Sequence, residues 1–256
     1  MNKKELITII KRYYSYDDLL KDKLRIENAD KYDLVIVSPT WKPYFVFNDD
    51  YIITDLKKGT TATYELMYGN KRILYIKTGK GAPNLYDNLL LLHSIDKPYV
   101  FLGSAGSLTE DINVGDIVVP KYSISGDGAS LYFEEDFSNG KRFEKIQFSN
   151  LLFKHITEKS KDIGCFIKNG SAFSTDTLIG EYYQLDKIMN IGASCIEQET
   201  AAFGKCMNIM EKEGIPILVI SDSLVKNQNY YEPLDNKTEY LNSRTKKLQK
   251  IINTLY

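Results

Sequence analysis

The chain reads as an α/β protein built on a mixed sheet, and three features of its 256 residues point that way. Short apolar runs recur at Asp33 to Val37, Tyr99 to Leu102 and Ile215 to Ile220, as expected of strands buried on both faces. Each run ends in small or polar residues (Ser38-Pro39-Thr40, Gly103-Ser104-Ala105-Gly106-Ser107, Ser221-Asp222), the composition of the carboxyl edge of an open α/β sheet. Between them lie segments whose apolar residues fall at helical spacing. No repeat, low-complexity stretch or linker divides the chain, so one domain is expected.

Residues 1–30 are rich in Lys, Asp and Tyr, with Leu6, Ile9, Ile10 and Tyr13 at helical spacing, and predict a helical arm ahead of a domain spanning 31–256. After the first strand, Pro39 and Pro43 enforce a loop. Ala62 to Met67 and Arg72 to Lys77 flank Gly69-Asn70 and predict a hairpin. Thr78-Gly79-Lys80-Gly81-Ala82-Pro83 then joins strand to helix, with Pro83 suited to a first helical turn and the helix running from Asn84 to about Ser94. Tyr99 to Leu102 is the next strand, delivering a glycine loop from Gly103 to Ser107, and Val114 to Pro120 begins another. A helix end and a strand occupy Lys161 to Asn169, before Gly170-Ser171-Ala172-Phe173-Ser174-Thr175-Asp176. Cys195-Ile196 reads as a short strand, a helix starts near Thr200, and Thr238 to Tyr256 has helical periodicity through Leu241, Leu248, Ile251 and Ile252.

Composition narrows the partners. Acidic residues number 34 and basic ones 33, so no overall field favours nucleic acid or an anionic membrane, and a small molecule is the expected ligand. Cys165, Cys195 and Cys206 lie on apolar segments without C-x-x-C spacing, and read as reduced core residues of a cytoplasmic protein. No apolar run approaches the length of a membrane span or a signal h-region. His93 and His155 sit in helix-like runs and read as structural, leaving few candidates for a His-based zinc site or a Ser-His-Asp triad.

The stretch from Ala193 to Ser223 concentrates the candidate chemistry. Glu197, Gln198 and Glu199 arrive where a helix begins, and Asp222 follows the buried run Ile215 to Ile220. A Glu near a helix start is also favoured by the helix dipole, and an Asp after a strand is often an N-cap, so these residues alone leave a structural role open. Glycines with small hydroxyl residues, as in Gly103-Ser104-Ala105-Gly106, let backbone amides approach an anion.

Taken together and in order, T-G-K-G-A-P, G-S-A-G-S-L, V-G-D-I-V-V-P, S-A-F-S-T-D, E-Q-E-T-A-A and I-S-D resemble the nucleoside phosphorylase-I family from about Asp33 to the C-terminus. That family includes trimeric-type purine nucleoside phosphorylases, uridine phosphorylases and methylthioadenosine/adenosylhomocysteine nucleosidases. The resemblance implies a three-layer α/β/α domain with a partly barrel-like sheet, cleavage of a ribose–base N-glycosidic bond, and a homo-oligomer, a dimer or trimer of dimers. It implies no metal and no organic cofactor, inorganic phosphate being the cosubstrate. Asp222 matches the residue that protonates or hydrogen-bonds purine N7 as the base leaves, with Ser221 beside it. Glu199 matches the carboxylate that holds ribose hydroxyls; Glu197 matches the first acid of the family's E-M-E pattern, and Gln198 replaces its Met. Phe173 matches an aromatic residue that packs on the base.

The nucleophile is where the chain departs from its relatives. The phosphorylase pattern R-x-G-S becomes Phe101-Leu102-Gly103-Ser104, so the phosphate-binding Arg is missing, while Gly103 and Ser104 remain. Lys58 aligns with a family Arg before Gly59, Lys42 falls within a residue of another, and Lys80 stands inside T-G-K-G-A-P; these three lysines are the candidate substitute anion ligands, a solvated surface lysine being the alternative reading for each, and a point charge does not reproduce a bidentate guanidinium. The nucleosidase pattern is also incomplete: Thr40-Trp41 stands where its loop carries Glu, and Leu218 where it carries Arg. The expectation is phosphorolysis of a purine nucleoside such as inosine, guanosine or adenosine, giving base and ribose 1-phosphate. The alternatives are a hydrolytic nucleosidase acting on methylthioadenosine, adenosylhomocysteine or a nucleotide, and a non-catalytic nucleoside-binding protein.

Overall fold

The computed structural model describes residues 1–256 except 14–18, 49, 166, 227 and 229–236; the side chains of 13 and 237–243 also lie outside the description, which takes in the predicted apolar positions Tyr13 and Leu241. Among the described residues ten strands form one sheet: β1 Leu34–Ser38, β2 Ile52–Lys57, β3 Ala62–Tyr68, β4 Lys71–Lys77, β5 Tyr99–Ser107, β6 Ile117–Ser125, β7 Lys145–Gln147, β8 Ile167–Ser174, β9 Cys195–Glu197 and β10 Gly214–Ser223. The α-helices among the described residues are α1 Lys3–Tyr13, α2 Ala82–Leu89, α3 Asn150–Asp162, α4 Leu178–Tyr183, α5 Leu185–Ile191, α6 Thr200–Met210 and α7 Lys237–Ile252.

The strand order β10-β6-β8-β9-β5 returns on itself because β10 also pairs with β5, closing a five-stranded barrel. Beyond β5 the sheet opens into β1, β4, β3 and β2. Pairings are parallel at β1–β4, β1–β5, β5–β10, β6–β8 and β8–β9 and antiparallel at β6–β10 and β5–β9, which makes the sheet mixed, as predicted. Strand β1 is buried along its whole length, in keeping with its continuous apolar run. Helix α6 buries nine of its residues, from Thr200 to Met210, and packs on β6, β8 and β10 as well as on α1 and α2. Leu6 and Ile10 of α1 join the same core as Leu248, Ile251 and Ile252 of α7, whereas Ile9 faces outward. All three cysteines are free and buried. His155 Nε2 bonds the Thr254 carbonyl at 2.5 Å, tying α3 to the C-terminal residues.

Three boundaries differ from the sequence reading. Strand β5 does not end at Leu102: Gly103 to Ser107 continue it, level with Leu218 to Ser223 of β10, so the glycine loop is strand. The glycines are there because neighbours press against the backbone; a β-carbon at Gly103 would lie 2.8 Å from the Phe101 ring. Strand β8 likewise carries Gly170 through Ser174 inside the ladder. The predicted helix from Asn84 starts at Ala82 and gives way to a 3-10 turn at Leu90–Leu92. Strand β2 and helices α4 and α5 were not anticipated. The first is a largely exposed edge strand paired only with β3, and the helices have six and seven residues, too few to display a period.

Candidate active site

The barrel wall places the candidate residues in one transverse row. Phe173 of β8 is level with Ile196 of β9, Ile196 with Gly106 of β5, and Gly106 with Asp222 of β10. The β5–β10 ladder slips between Ile220 and Asp222, so Ser221 is the bulged residue that re-aims its neighbour. Ser221 Oγ donates to Asp222 Oδ1 at 2.6 Å. The other oxygen, Oδ2, leans over Gly106, where a β-carbon would stand 2.9 Å from it, 2.6 Å from Leu224 Cδ1 and 3.4 Å from Ile196 Cγ2. Gly106 therefore supplies the space that lets the carboxyl lie along the row. Burial raises the Asp222 pKa and the Ser221 hydrogen bond opposes that rise.

Glu197, at the end of β9, is 5% exposed and has every lone-pair direction occupied. Its Oε1 accepts from Ser174 Oγ at 2.5 Å and Thr200 Oγ1 at 2.6 Å; its Oε2 accepts from the backbone amides of Glu199 at 2.6 Å and Thr200 at 2.7 Å. The residue thus places its carboxyl at the N-terminus of α6, where the helix dipole favours negative charge. Burial raises its pKa while these four donors pull it back down.

Glu199 takes the turn between β9 and α6 and reaches across to the loop after β4, where its Oε1 accepts from the Gly81 amide at 2.6 Å. Gly81 caps α2 at φ 89°, a conformation that glycine adopts without strain. Burial and then the nearby Glu197 charge push the Glu199 pKa up to about 8, with Gly81 and Lys80 acting in the opposite sense. Gln198 between the two acids is half-buried. Phe173 is buried with Leu108, Ile124, Ile188, Ala193 and Ile196, and the exposed ring of Phe143 stacks on it at 6.0 Å. Phe143 sits at φ 60°, a left-handed conformation uncommon for a bulky residue.

The loops carrying the three lysines meet one another. The Thr78 and Gly79 amides bond the carbonyls of Ser38 and Pro39 at 3.0 and 3.1 Å, and a β-carbon on Gly79 would sit 3.5 Å from the Thr60 methyl. Lys42 and Lys58 both act on Asp55, whose pKa is lowered first by the Tyr44 hydroxyl donating to it and then by Lys58 and Lys42. Lys58 lies 3.4 Å from Asp55 with an exposed side chain. Lys80 is exposed and its charge is felt by Glu199. Gly103 is buried in mid-strand, level with Leu218, and Ser104 is half-buried, level with Val219. Their backbones are therefore part of a ladder and do not form the open anion-binding loop that the glycine pattern predicted. Phe101 is 1% exposed and packs on Phe203, so no cation replaces the absent Arg at that point.

Two features escaped the sequence reading. One is the hydroxyl network of Ser123, Ser174 and Thr200, in which Ser123 Oγ lies 2.9 Å from Thr200 Oγ1 and the Ala201 amide donates to Ser174 Oγ at 2.9 Å. The other is Glu181 of α4, 4% exposed, whose pKa is pushed up to about 7 by burial and then by Asp222 and Glu197. Its setting, Leu178-Ile179-Gly180-Glu181-Tyr182-Tyr183, carries no spacing that marks the Glu as buried. Among the described residues no group of three or more His, Cys, Asp or Glu could hold a metal ion, and no helix is long and apolar enough to cross a membrane.

Residues 51–255 match the phosphorylase superfamily. The chain is 26% identical to the DeoD-type purine nucleoside phosphorylase of Bacillus subtilis (strain 168) over 171 residues, 65% of this chain and 69% of that protein. It is 30% identical to the enzyme of the same name from Thermoanaerobacter sp. (strain X514) over 170 residues, 62% of this chain and 67% of that one. In fold it is similar to a mutant futalosine hydrolase of Helicobacter pylori strain 26695, with a TM-score of 0.66 at 16% identity over 87% of this chain and 99% of the other. With the closed five-stranded barrel, its open extension and the match over four-fifths of the sequence, the chain belongs to the phosphorylase superfamily.

Proposed function

We propose that the protein cleaves the N-glycosidic bond of purine nucleosides by phosphorolysis, releasing the base and ribose 1-phosphate. The observation that carries this reading is the row Phe173–Ile196–Gly106–Asp222, which sets an aromatic surface level with a half-buried carboxyl of raised pKa. As the bond breaks, its electron pair moves onto the base, and a ring nitrogen takes the proton held at Asp222 Oδ2. A carboxylic acid does this at neutral pH only when its environment disfavours ionisation, as burial does here. Ser221 fixes the carboxyl through Oδ1 and leaves Oδ2 to the base. Glu199, anchored through Oε1 by Gly81, keeps Oε2 for the ribose hydroxyls. Glu197 acts as the positioning residue that holds the Glu199 backbone, and Gln198 lies beside the sugar.

Phosphate, in this reading, is drawn in by Lys42, Lys58, Lys80 and the Ser104 hydroxyl, because Phe101 is sealed in the core. The similarity to DeoD-type purine nucleoside phosphorylases supports phosphorolysis and a purine base. That same buried Phe101 favours water as the nucleophile in a second reading, a hydrolytic nucleosidase. Base release from a nucleoside panel, with and without phosphate and with the sugar product identified, separates the two. Phosphate-dependent release with ribose 1-phosphate is expected; phosphate-independent free ribose would overturn phosphorolysis, and no release from any nucleoside would favour a binding protein.

A further inference from the structure

We propose that the ring of Phe143 is the aromatic face on which the base of the substrate stacks, with Phe173 supporting that ring from behind. The proposal rests on the reading of the Phe173–Asp222 row as the base pocket, and it moves the stacking surface to a residue that no motif in the sequence marks.

Phe173 has little surface of its own to offer, being only 3% exposed. Leu108, Ile124, Ile188, Ala193 and Ile196 pack around it. Its ring edge presses on the backbone of Gly126, where a β-carbon would stand 2.4 Å from Phe173 Cζ and 2.8 Å from Cε1. Phe143 lies over it, with ring centroids 6.0 Å apart and planes inclined by 26°. The Phe143 ring is itself 54% exposed, so it is the half of the stack that a planar ligand can reach.

The same apolar cluster ties this ring to the carboxyl. Ile196 and Leu224 pack with Phe173, and their Cγ2 and Cδ1 atoms also flank the point over Gly106 on which Asp222 Oδ2 leans. Ring and carboxyl therefore border one apolar surface. An open aromatic face and a half-buried carboxyl on such a surface suit a flat heterocycle, whose rings stack while a ring nitrogen meets the acid.

The backbone holds Phe143 in place at a cost. Its φ of 60° is one that bulky side chains rarely adopt. The Phe143 amide donates to the Ser125 carbonyl at 2.8 Å and the Ser125 amide to the Glu144 carbonyl at 2.9 Å. The Glu144 carboxylate lies 3.8 Å from Lys205 Nζ of α6, and the same lysine pairs with Glu134. At the start of the segment, Asp127 accepts from the hydroxyls of Ser125 and Ser130 at 3.0 and 2.9 Å. The stretch from Gly126 to Glu144 is thus anchored at both ends, with Phe143 fixed just ahead of β7. A half-exposed ring gains little from burial to offset a left-handed backbone. Strain maintained in this way by the surroundings points to a task for the side chain.

The test compares wild type with Phe143→Gly and Phe143→Tyr. Glycine removes the ring and adopts the left-handed conformation without strain, so the melting temperature should not fall, while tyrosine keeps an aromatic face. The first measurement is calorimetric binding of free adenine, hypoxanthine and guanine, which needs no turnover. Phe143→Gly should weaken binding by about five- to a hundredfold, the loss expected for one base–aromatic stack, and Phe143→Tyr should stay within about twofold of wild type. The second is steady-state base release from purine nucleosides. There Phe143→Gly should raise KM by a similar factor with kcat nearly unchanged, because a stack holds ground state and transition state alike. A ring that only covers the core would give the opposite pattern, a lower melting temperature with unchanged affinity and KM, and that result would overturn the proposal. Equal binding of the bases by wild type and Phe143→Gly would also overturn it, while leaving the row as the base pocket. If the bases bind in a Phe143-dependent way and no nucleoside is cleaved, the stacking surface stands and the reading of the reaction falls. If wild type neither binds a base nor cleaves a nucleoside, both fall.

Discussion

Glu197 offers the sharpest quantitative test, because the structure makes it an internal lock although its motif aligns it with a sugar ligand. Glu197→Ala strands two backbone amides, of Glu199 and Thr200, and two hydroxyls, of Ser174 and Thr200, in a site that is almost sealed. Hydrogen bonds to a charged acceptor contribute about 1.5–3 kcal/mol each, but the four act as one unit and deleting the carboxylate also removes its own desolvation cost. The expected net loss is therefore about 3–5 kcal/mol, the range found when one partner of a buried charged network is removed. Glu197→Gln should cost far less, roughly 1 kcal/mol, because the amide oxygen can keep the two backbone donors while its NH2 points at hydroxyls that rotate to accept. Urea unfolding of the three proteins gives the answer as a shift of midpoint at constant slope. An alanine variant within about 1 kcal/mol of wild type would refute the lock.

The remaining expectations concern the row and its acids. Asp222→Asn should lower purine nucleoside turnover by about a hundredfold or more while leaving the fold intact, as measured by steady-state base release and thermal melting; near-normal rates would remove its role. Gly106→Ala should displace the Asp222 carboxyl and the Leu224 side chain, costing about 1–3 kcal/mol and reducing kcat along with the melting temperature. Because the Glu181 carboxyl is raised from 4.5 to about 7 in the folded protein, its contribution to stability is complete below about pH 4.5 and disappears as pH rises through 7; it amounts to at most about 3 kcal/mol. Melting curves between pH 5 and 8 should accordingly fall for wild type and fall less steeply for Glu181→Gln, in which Glu199 keeps its share. Lys58→Ala should raise the phosphate requirement more than the nucleoside requirement, and equal effects on both would remove Lys58 from the anion site.

The carboxylates of the 193–223 stretch were legible in the sequence, but the different settings of Glu197 and Glu199 were not. Glu197 and Glu199 are two residues apart and chemically identical, yet one is saturated by Ser174 and Thr200 while the other crosses to Gly81. Nothing in E-Q-E itself distinguishes them, because, although Thr200 follows three positions after Glu197, Ser174 and Gly81 lie 23 and 118 positions away along the chain. Gly103 and Gly106 read naturally as a flexible anion loop, since glycine permits close approach in either setting. Only the closure of β5 onto β10 shows that the space serves the Phe101 ring and the Asp222 carboxyl.

The sequence by itself determined the buried strands, the hairpin at Gly69-Asn70, the order of motifs and so the superfamily, because apolar runs and turn residues act locally and survive in one dimension. Tertiary structure alone decided that the sheet closes into a barrel, that Phe173, Ile196, Gly106 and Asp222 share a row, and that Glu181 is buried. Those relations depend on strand register and on desolvation by distant segments. A short helix such as α4 carries no periodicity from which either could be read.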